Sequence, residues 1–139
     1  MSLALNKDEL TAYLREIFPQ MIEEYVIETL DPEHITMRLA VGTHHLRPGG
    51  TVSGPSMFAL ADVAVYAMVL SRLGRKALAV TTSSSMDFLR KPASGVDLIA
   101  RGRLLKLGRA LVVGDVLMSS KGSKDVVARA TMTYSIPPR

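Results

Sequence analysis

The sequence predicts an α+β fold in which a long central helix is wrapped by a curved antiparallel sheet, with an amphipathic helix at the N-terminus. Three observations predict it: a capped amphipathic segment at the start, one long apolar segment with helix signals at both ends, and a series of strand-like segments joined by short turns. A chain of 139 residues is long enough to bury one core, so residues 1–139 are expected to form a single domain.

The first predicted element is the N-terminal helix. Asn6 is a good N-cap, and Glu9 stands three residues later, as in a capping box. Pro19 is expected to end or kink the helix. Apolar residues recur along it at helical spacing: Leu10, Leu14, Ile17, Phe18 and Met21.

A half-buried strand is predicted next, because apolar and polar residues alternate over residues 34–41. A loop rich in glycine and proline follows and leads into the apolar segment. Pro55 suits the first turn of a helix, Ser53 or Gly54 is expected to cap it, and Gly74 to end it. The helix over residues 55–73 is apolar on nearly every face and is therefore expected to be central.

Four further strands are predicted after this helix. They span residues 77–88, 96–107, 110–119 and 126–135, with short turns at residues 107–109 and 121–125. Strands linked by such short turns form antiparallel sheets.

Composition narrows the classes of function. The net charge is +4, but the basic residues are scattered and there is no tryptophan, so no nucleic-acid partner is expected; a phosphorylated small molecule is favoured. The chain has no cysteine, which excludes disulfides and thiolate nucleophiles and fits the cytoplasm. The N-terminus lacks the pattern of a secretory signal, and the apolar run is too short to span a membrane, so no membrane partner is expected.

Asp62 is the one carboxylate in that apolar run. A buried unpaired charge is costly, so Asp62 is paired, protonated or directed into a cavity. A structural role, paired with Arg47 or capping a loop, and a catalytic role remain open at this point.

The loop and helix carry a family resemblance. The segment Arg47-Pro48-Gly49-Gly50-Thr51-Val52-Ser53-Gly54-Pro55, followed by Leu60-Ala61-Asp62, resembles the signature of hotdog-fold acyl-CoA thioesterases of the phenylacetate-degradation type. That family has a loop N-x-x-G-T-x-H-G-G and an acid nine residues after the histidine. The segments 88–95 and 107–109 resemble its later motifs. This chain departs from the pattern at Arg47, Ser53 and Pro55, which replace the Asn, the His and the second Gly.

The resemblance implies thioester hydrolysis without a cofactor, in a homodimer or a dimer of dimers. It implies that Asp62 is the general base or nucleophile and that the Gly54 N–H polarises the thioester carbonyl. It also implies a site shared between subunits, with a hydroxyl from the partner's strand at residues 77–88. Thr82 is the best match for that hydroxyl, and Thr81 and Ser83, one residue to either side, are the alternatives.

Several other residues have both a functional and a purely structural interpretation. Ser53 fits a helix cap better than a hydrolase nucleophile, because the G-x-S-x-G context is absent. The cations Arg90, Lys91 and Arg109 either hold the phosphates of coenzyme A or lie solvated at the surface. The adjacent pair His44 and His45 lacks helical metal-site spacing, so no metal is expected.

Two other functions compete with the thioesterase. Loss of the family's Asn and His favours a protein that binds or senses acyl-CoA without hydrolysing it. A purely structural oligomer would show no ligand-dependent rise in melting temperature.

Overall fold

In the computed structural model, which describes residues 2–20 and 22–138, one helix lies within the curve of one sheet. The element order is helix, two strands, helix and four strands. The bounds are α1 Lys7–Ile17, β1 Tyr25–Leu30, β2 His34–Leu39, α2 Gly54–Leu73, β3 Val80–Phe88, β4 Leu98–Leu107, β5 Leu111–Ser120 and β6 Val126–Ser135. This confirms the predicted α+β architecture, in the hotdog arrangement that the resemblance implies.

The N-terminal helix α1 begins at the predicted capping box. The Glu9 N–H donates to Asn6 Oδ1 at 2.9 Å, and the Asn6 N–H donates to Glu9 Oε1 at 3.0 Å. The helix ends at Ile17 with Phe18 as its C-cap, one residue before Pro19, since proline cannot continue the hydrogen-bond ladder. The apolar repeat at Met21 lies outside the described residues.

The six strands form one antiparallel sheet in the order β1-β2-β4-β5-β6-β3. The five predicted strands are confirmed with ends shifted by up to three residues; residues 77–79, predicted as strand, precede β3. The sequence did not predict β1. Its register shifts between Ile27 and Thr29, so the alternation of buried and exposed side chains that marks a strand is broken there.

The central helix α2 confirms both predicted end signals. Ser53 is the N-cap, and its Oγ accepts the Ser56 N–H. Gly74 is the C-cap with φ of 85°, a backbone conformation that favours glycine. Side chains of the helix lie directly against glycines of the sheet: a Cβ at Gly102 would stand 2.8 Å from Met68 Cε, and one at Gly114 would stand 2.9 Å from Val65 Cγ1.

The helix α2 is longer than the apolar run judged too short to span a membrane: by length and composition alone it could cross one, and it is the one helix of the described residues that meets this criterion. However, 61% of its apolar window is buried inside the fold. Core helices meet the same criterion, and the position of α2 under the sheet accounts for its apolar composition.

The strand β3 differs from the others because it forms one edge of the sheet and most of its side chains are exposed. Apolar residues at and beside its ends are also open: Leu78 is 78% exposed, Val80 58% and Phe88 53%. Exposed strand edges are sites where a second chain can pair.

Candidate active site

Asp62 lies on the one stripe of α2 that is not fully covered. Phe58, Asp62 and Tyr66 are spaced four residues apart and therefore share a face of the helix. All three are exposed or half-buried, whereas neighbours such as Leu60 and Ala61 are fully buried. The carboxylate therefore borders open space while its helix forms the core.

Two hydroxyl groups hold one oxygen of Asp62. The Thr81 Oγ1 donates to Asp62 Oδ1 at 2.6 Å, and the Tyr134 hydroxyl donates to the same atom at 2.8 Å. Both donors belong to the same chain as Asp62, on β3 and β6. Among the described residues no hydrogen-bond donor reaches Oδ2, so that oxygen is available for chemistry.

Tyr134 remains a proton donor over the physiological pH range. Burial raises the pKa of its hydroxyl well above the ordinary value, and the negative charge of Asp62 raises it further. Tyr134 therefore keeps its proton, and the hydrogen bond that it donates fixes the orientation of the Asp62 carboxylate.

The residues that line the space beside Asp62 are mainly apolar and aromatic. Two adjoining cavities of about 370 and 180 Å³ have Asp62 in their walls. Both are lined by Phe18, Tyr66 and Tyr134. The Phe18 and Tyr66 rings meet edge to face at 6.5 Å, and the Tyr66 and Tyr134 rings stack at 5.6 Å. An aromatic wall with one carboxylate suits an apolar group attached to a reactive carbonyl.

The alternative in which Arg47 neutralises Asp62 does not hold. No ion pair of the described residues includes Asp62, and Arg47 lines a different cleft. The partners of the carboxylate are the two hydroxyls, which satisfy one oxygen and leave the acid facing a cavity.

The second cleft surrounds the start of α2 and has a volume of about 350 Å³. Gly54 lines it, and a Cβ there would stand 3.4 Å from Phe88 Cζ, so the missing side chain leaves the backbone accessible. Gly54 is the first residue of the helix, where N–H groups have no acceptor within the helix. Pro55 follows and offers no N–H.

Three cations surround this same cleft: Arg47, Arg90 and Lys91. Arg90 also makes a long contact of 3.7 Å with Asp125 between exposed side chains, which holds it only weakly. A helix N-terminus beside three cations attracts a negatively charged ligand.

The two clefts lie at opposite ends of the sheet. Thr81, beside Asp62, pairs with Tyr134 at one end of β3, and Phe88, beside Gly54, pairs with Ala128 at the other end. Gly54 and Asp62 themselves stand eight residues apart on α2, about 12 Å along the helix axis. One thioester carbonyl therefore cannot contact both the Gly54 N–H and the Asp62 carboxylate of the same chain.

The remaining candidates take different positions. Arg109 is exposed in the β4–β5 turn, at the Asp62 end of the sheet and away from Arg90 and Lys91. Ser53 caps α2, which agrees with the simpler of its two interpretations. Ser83 is exposed on β3 and pairs with Thr133.

Thr82, the best match for the hydroxyl that a partner chain would contribute, is exposed on β3. Within one chain, the hydroxyl that reaches Asp62 belongs to Thr81. The register of β3 on β6 shifts between Thr81 and Ser83. Such a bulge changes which side chain faces inward, and sequence patterns do not locate it.

Sequence reasoning did not single out Tyr134, and it placed Phe18 only on the amphipathic helix and Tyr66 only in the apolar run. The available signal was weak: Tyr66 follows Asp62 by four residues, so it had to share its face of the helix. Tyr134 lies far along the chain, and only the pairing of β6 with β3 brings it to Asp62.

A cluster of Glu24, His44 and His45 is a second group of polar side chains, with potential metal-ligand atoms within 4.8 Å of one another. Its hydrogen bonds account for it without an ion. The Gly42 N–H donates to His45 Nδ1 at 2.8 Å, so neutral His45 carries its proton on Nε2, which donates to Glu24 at 2.8 Å. A metal at Nε2 would displace that proton, so this arrangement opposes metal binding.

The cluster anchors the loop before α2. The His45 carbonyl accepts the N–H of Ser53, the cap of the helix, at 2.7 Å. Burial of Glu24 would raise its pKa, but hydrogen bonds from His45 and His44 outweigh burial and hold that pKa below its ordinary value of 4.5.

Comparison with known proteins gives a family match over most of the site. The family model described as the thioesterase superfamily matches residues 49–133, which include Gly54, Asp62 and Thr81 but not Phe18 or Tyr134. No curated protein matches the chain.

Solved structures extend the likeness to the whole chain. A protein from Silicibacter sp. TM1040, assigned as a thioesterase, is 64% identical over 99% of this chain and 96% of its own, with a TM-score of 0.93. A hypothetical thioesterase from Streptococcus pneumoniae TIGR4, crystallised with coenzyme A, is 25% identical over 91% of this chain and 98% of its own, with a TM-score of 0.78. A mutant of the phenylacetic acid degradation protein PaaI from Thermus thermophilus is 28% identical over 86% of this chain and 99% of its own, with a TM-score of 0.73.

Proposed function

The chain belongs to the thioesterase superfamily, and from that premise we propose that it hydrolyses acyl-CoA thioesters to a free carboxylic acid and coenzyme A. The observation that carries the proposal is the geometry of Asp62. One carboxylate oxygen accepts two hydroxyl donors, and the other faces an aromatic cavity.

The chemistry assigned to Asp62 is that of a general base or a nucleophile. As a base, Oδ2 takes a proton from water, which attacks the carbonyl carbon; the C–S bond breaks, and the departing thiolate receives that proton. As a nucleophile, Oδ2 attacks the carbonyl carbon, the C–S bond breaks and the thiolate of coenzyme A departs, which leaves a mixed anhydride on Asp62. Water then hydrolyses the anhydride to the free acid and the Asp62 carboxylate, and the proton that water gives up goes to the thiolate. In both routes the Gly54 N–H stabilises the developing oxyanion.

The proposed site is shared by two chains that pair through β3. Two-fold symmetry makes two β3 edges antiparallel, so the Phe88 end of one strand meets the Val80 end of the other. Gly54, Arg90 and Lys91 of one chain then approach Asp62 and Thr81 of the other. The separation of the two clefts within one chain and the exposed β3 edge both support this assembly.

The proposed position of coenzyme A follows from the cations. Arg47, Arg90 and Lys91 line the Gly54 cleft and suit the phosphates of the coenzyme A portion of the substrate. Arg109 lies at the Asp62 end, so antiparallel pairing brings it toward the partner's cleft as well. The coenzyme A bound to the pneumococcal protein supports this ligand class. The proposed binding residues also include neighbours of Thr81 and Gly54 in the sequence. Thr82 and Ser83 follow Thr81, and Ser53 and Pro55 flank Gly54.

The homodimer is proposed as the active unit, with pairing of dimers into a tetramer as a further proposal. A cytoplasmic location is also proposed, on the absence of cysteine.

A second candidate function is binding of acyl-CoA without hydrolysis. The replacements at Arg47 and Ser53 of the family's Asn and His favour it. It predicts that acyl-CoA raises the melting temperature while no thiol appears.

A thiol-release assay tests both candidates. Wild type and Asp62→Asn are compared over acetyl-, butyryl-, octanoyl-, palmitoyl- and benzoyl-CoA, with melting temperature as the control for folding. The proposal expects release by wild type and a loss of about 10²- to 10⁴-fold in kcat for the variant. Binding without release in wild type supports the second candidate, and full turnover by Asp62→Asn removes Asp62 from the mechanism.

A further inference from the structure

The end of α1 forms one wall of the cavity beside Asp62, although α1 lies outside the residues that the family model matches. Ile17, Phe18 and Gln20 all line the larger cavity, and Phe18 also lines the smaller one. The end of α1 therefore closes a cavity whose carboxylate lies within the matched region.

The attachment of α1 does not depend on Phe18. Leu10 and Leu14 are fully buried, and the N–H groups of Ala4 and Leu5 donate to the Ser71 carbonyl near the end of α2. Phe18 follows the last helical residue and is half-buried. A change at Phe18 can therefore reshape the cavity while the helix stays docked.

The other two rings of the wall are fixed by their own hydroxyls. Tyr66 donates to the Ala77 carbonyl at 2.6 Å, and Tyr134 donates to Asp62 at 2.8 Å. Phe18 has no polar group and is held against Tyr66 by an edge-to-face contact at 6.5 Å. It is thus the member of the wall whose size can change without disturbing the carboxylate.

We propose that Phe18 ends the acyl pocket and restricts the enzyme to short, compact acyl groups. This inference rests on the proposed function, because it assumes that the acyl chain of the substrate enters the cavity beside Asp62. Each methylene that packs against the apolar wall should raise kcat/KM about fourfold. An acyl chain long enough to reach the ring of Phe18 should show no further rise in kcat/KM, or a fall.

The test is the dependence of kcat/KM on acyl length, measured with straight-chain acyl-CoAs from acetyl to palmitoyl. For wild type, kcat/KM is expected to rise with acyl length up to one chain length, here called the break, and to fall beyond it. Phe18→Ala should move the break to longer chains and raise kcat/KM for the first excluded substrate about tenfold or more, while Phe18→Trp should move it to shorter chains.

Leu14→Ala is the matched control, because it weakens docking of the same helix from the buried side. It should lower the melting temperature and leave the break in place. Wild type with no break up to palmitoyl-CoA, or Phe18→Ala with the break unchanged, overturns the inference. Either result differs from failure of the proposed function, in which wild type releases no thiol from any acyl-CoA.

Discussion

The two sides of α2 are built on different rules. The side toward the sheet is closed by the chain itself: Val65 and Met68 pack against Gly114 and Gly102, positions where even one added carbon would collide. The other side carries Phe58, Asp62 and Tyr66 and remains partly open. Packing within one chain explains the first side, whereas the second is the side on which the proposed substrate would bind.

The largest expected effect on kcat is at Gly54, where the open side of α2 begins. Gly54→Pro removes the N–H proposed to stabilise the oxyanion, and Ser53 already has the extended backbone that a residue before proline prefers. The kcat for thiol release should fall about 10²- to 10³-fold. Gly54→Ala adds a Cβ near Phe88 but keeps the N–H, and should retain most of kcat.

Mixing two inactive variants tests whether Gly54 and Asp62 act from different chains. Dimers that combine Gly54→Pro with Asp62→Asn chains contain one site with both groups intact. Co-refolding the two inactive proteins should restore about a quarter of wild-type activity, since half of the dimers are hybrids with one working site each. If activity stays at the level of the separate variants, both groups act within one chain or one variant impairs assembly; sedimentation separates these outcomes.

The closed side predicts a loss of stability with little change in chemistry. Leu60→Ala removes a fully buried side chain and should lower the free energy of unfolding by ~2–5 kcal/mol in urea titrations. Phe58→Ala, two residues earlier on the open side, is the matched variant because Phe58 is 38% exposed. It should cost less stability and raise KM instead; equal losses would contradict the division of the helix into two sides.

Tyr134→Phe removes one of the two donors to Asp62 Oδ1 and keeps the ring. The carboxylate loses part of its orientation, so kcat should fall about tenfold, equivalent to ~1.4 kcal/mol, with KM little changed. Steady-state kinetics measure both parameters. A change in KM with none in kcat would indicate that Tyr134 only shapes the pocket.

The smallest effect is expected at Glu24, away from both sides of the helix. Its pKa is depressed in the folded protein, so it adds stability above pH 4.5, and that stability is lost as the pH falls through the folded value. Wild type should therefore lose more melting temperature than Glu24→Gln between about pH 5.5 and about pH 3. Glu23→Gln, which changes an exposed neighbour outside the histidine cluster, should behave like wild type.

The sequence predicts what depends on local chemistry. Asn6 with Glu9, Ser53 and Gly74 each specify a helix end through their own side chain or backbone freedom, and each is found there. The apolar run correctly identified the core helix, and Asp62 stood out because its environment contradicts its charge.

The features that sequence missed depend on strand register. The irregularity at Ile27 hid β1, and the bulge beside Thr82 brings the Thr81 hydroxyl to Asp62 of its own chain, a contact that the sequence did not predict. Tyr134 joins the site only through the pairing of β6 with β3, two strands that are far apart along the chain. Periodicity does not carry such information, because a shift of one residue exchanges the two faces of a strand.

The composition of β3 affects how prone its exposed edge is to aggregation. A free strand edge rich in Val, Ile and Phe would invite indiscriminate aggregation. The middle of β3 instead reads Thr81-Thr82-Ser83-Ser84-Ser85, and Asp87 near its end carries a charge. Small hydroxyl side chains keep this exposed edge hydrated and leave its backbone free to form hydrogen bonds, while exposed apolar side chains are confined to the two ends of the strand.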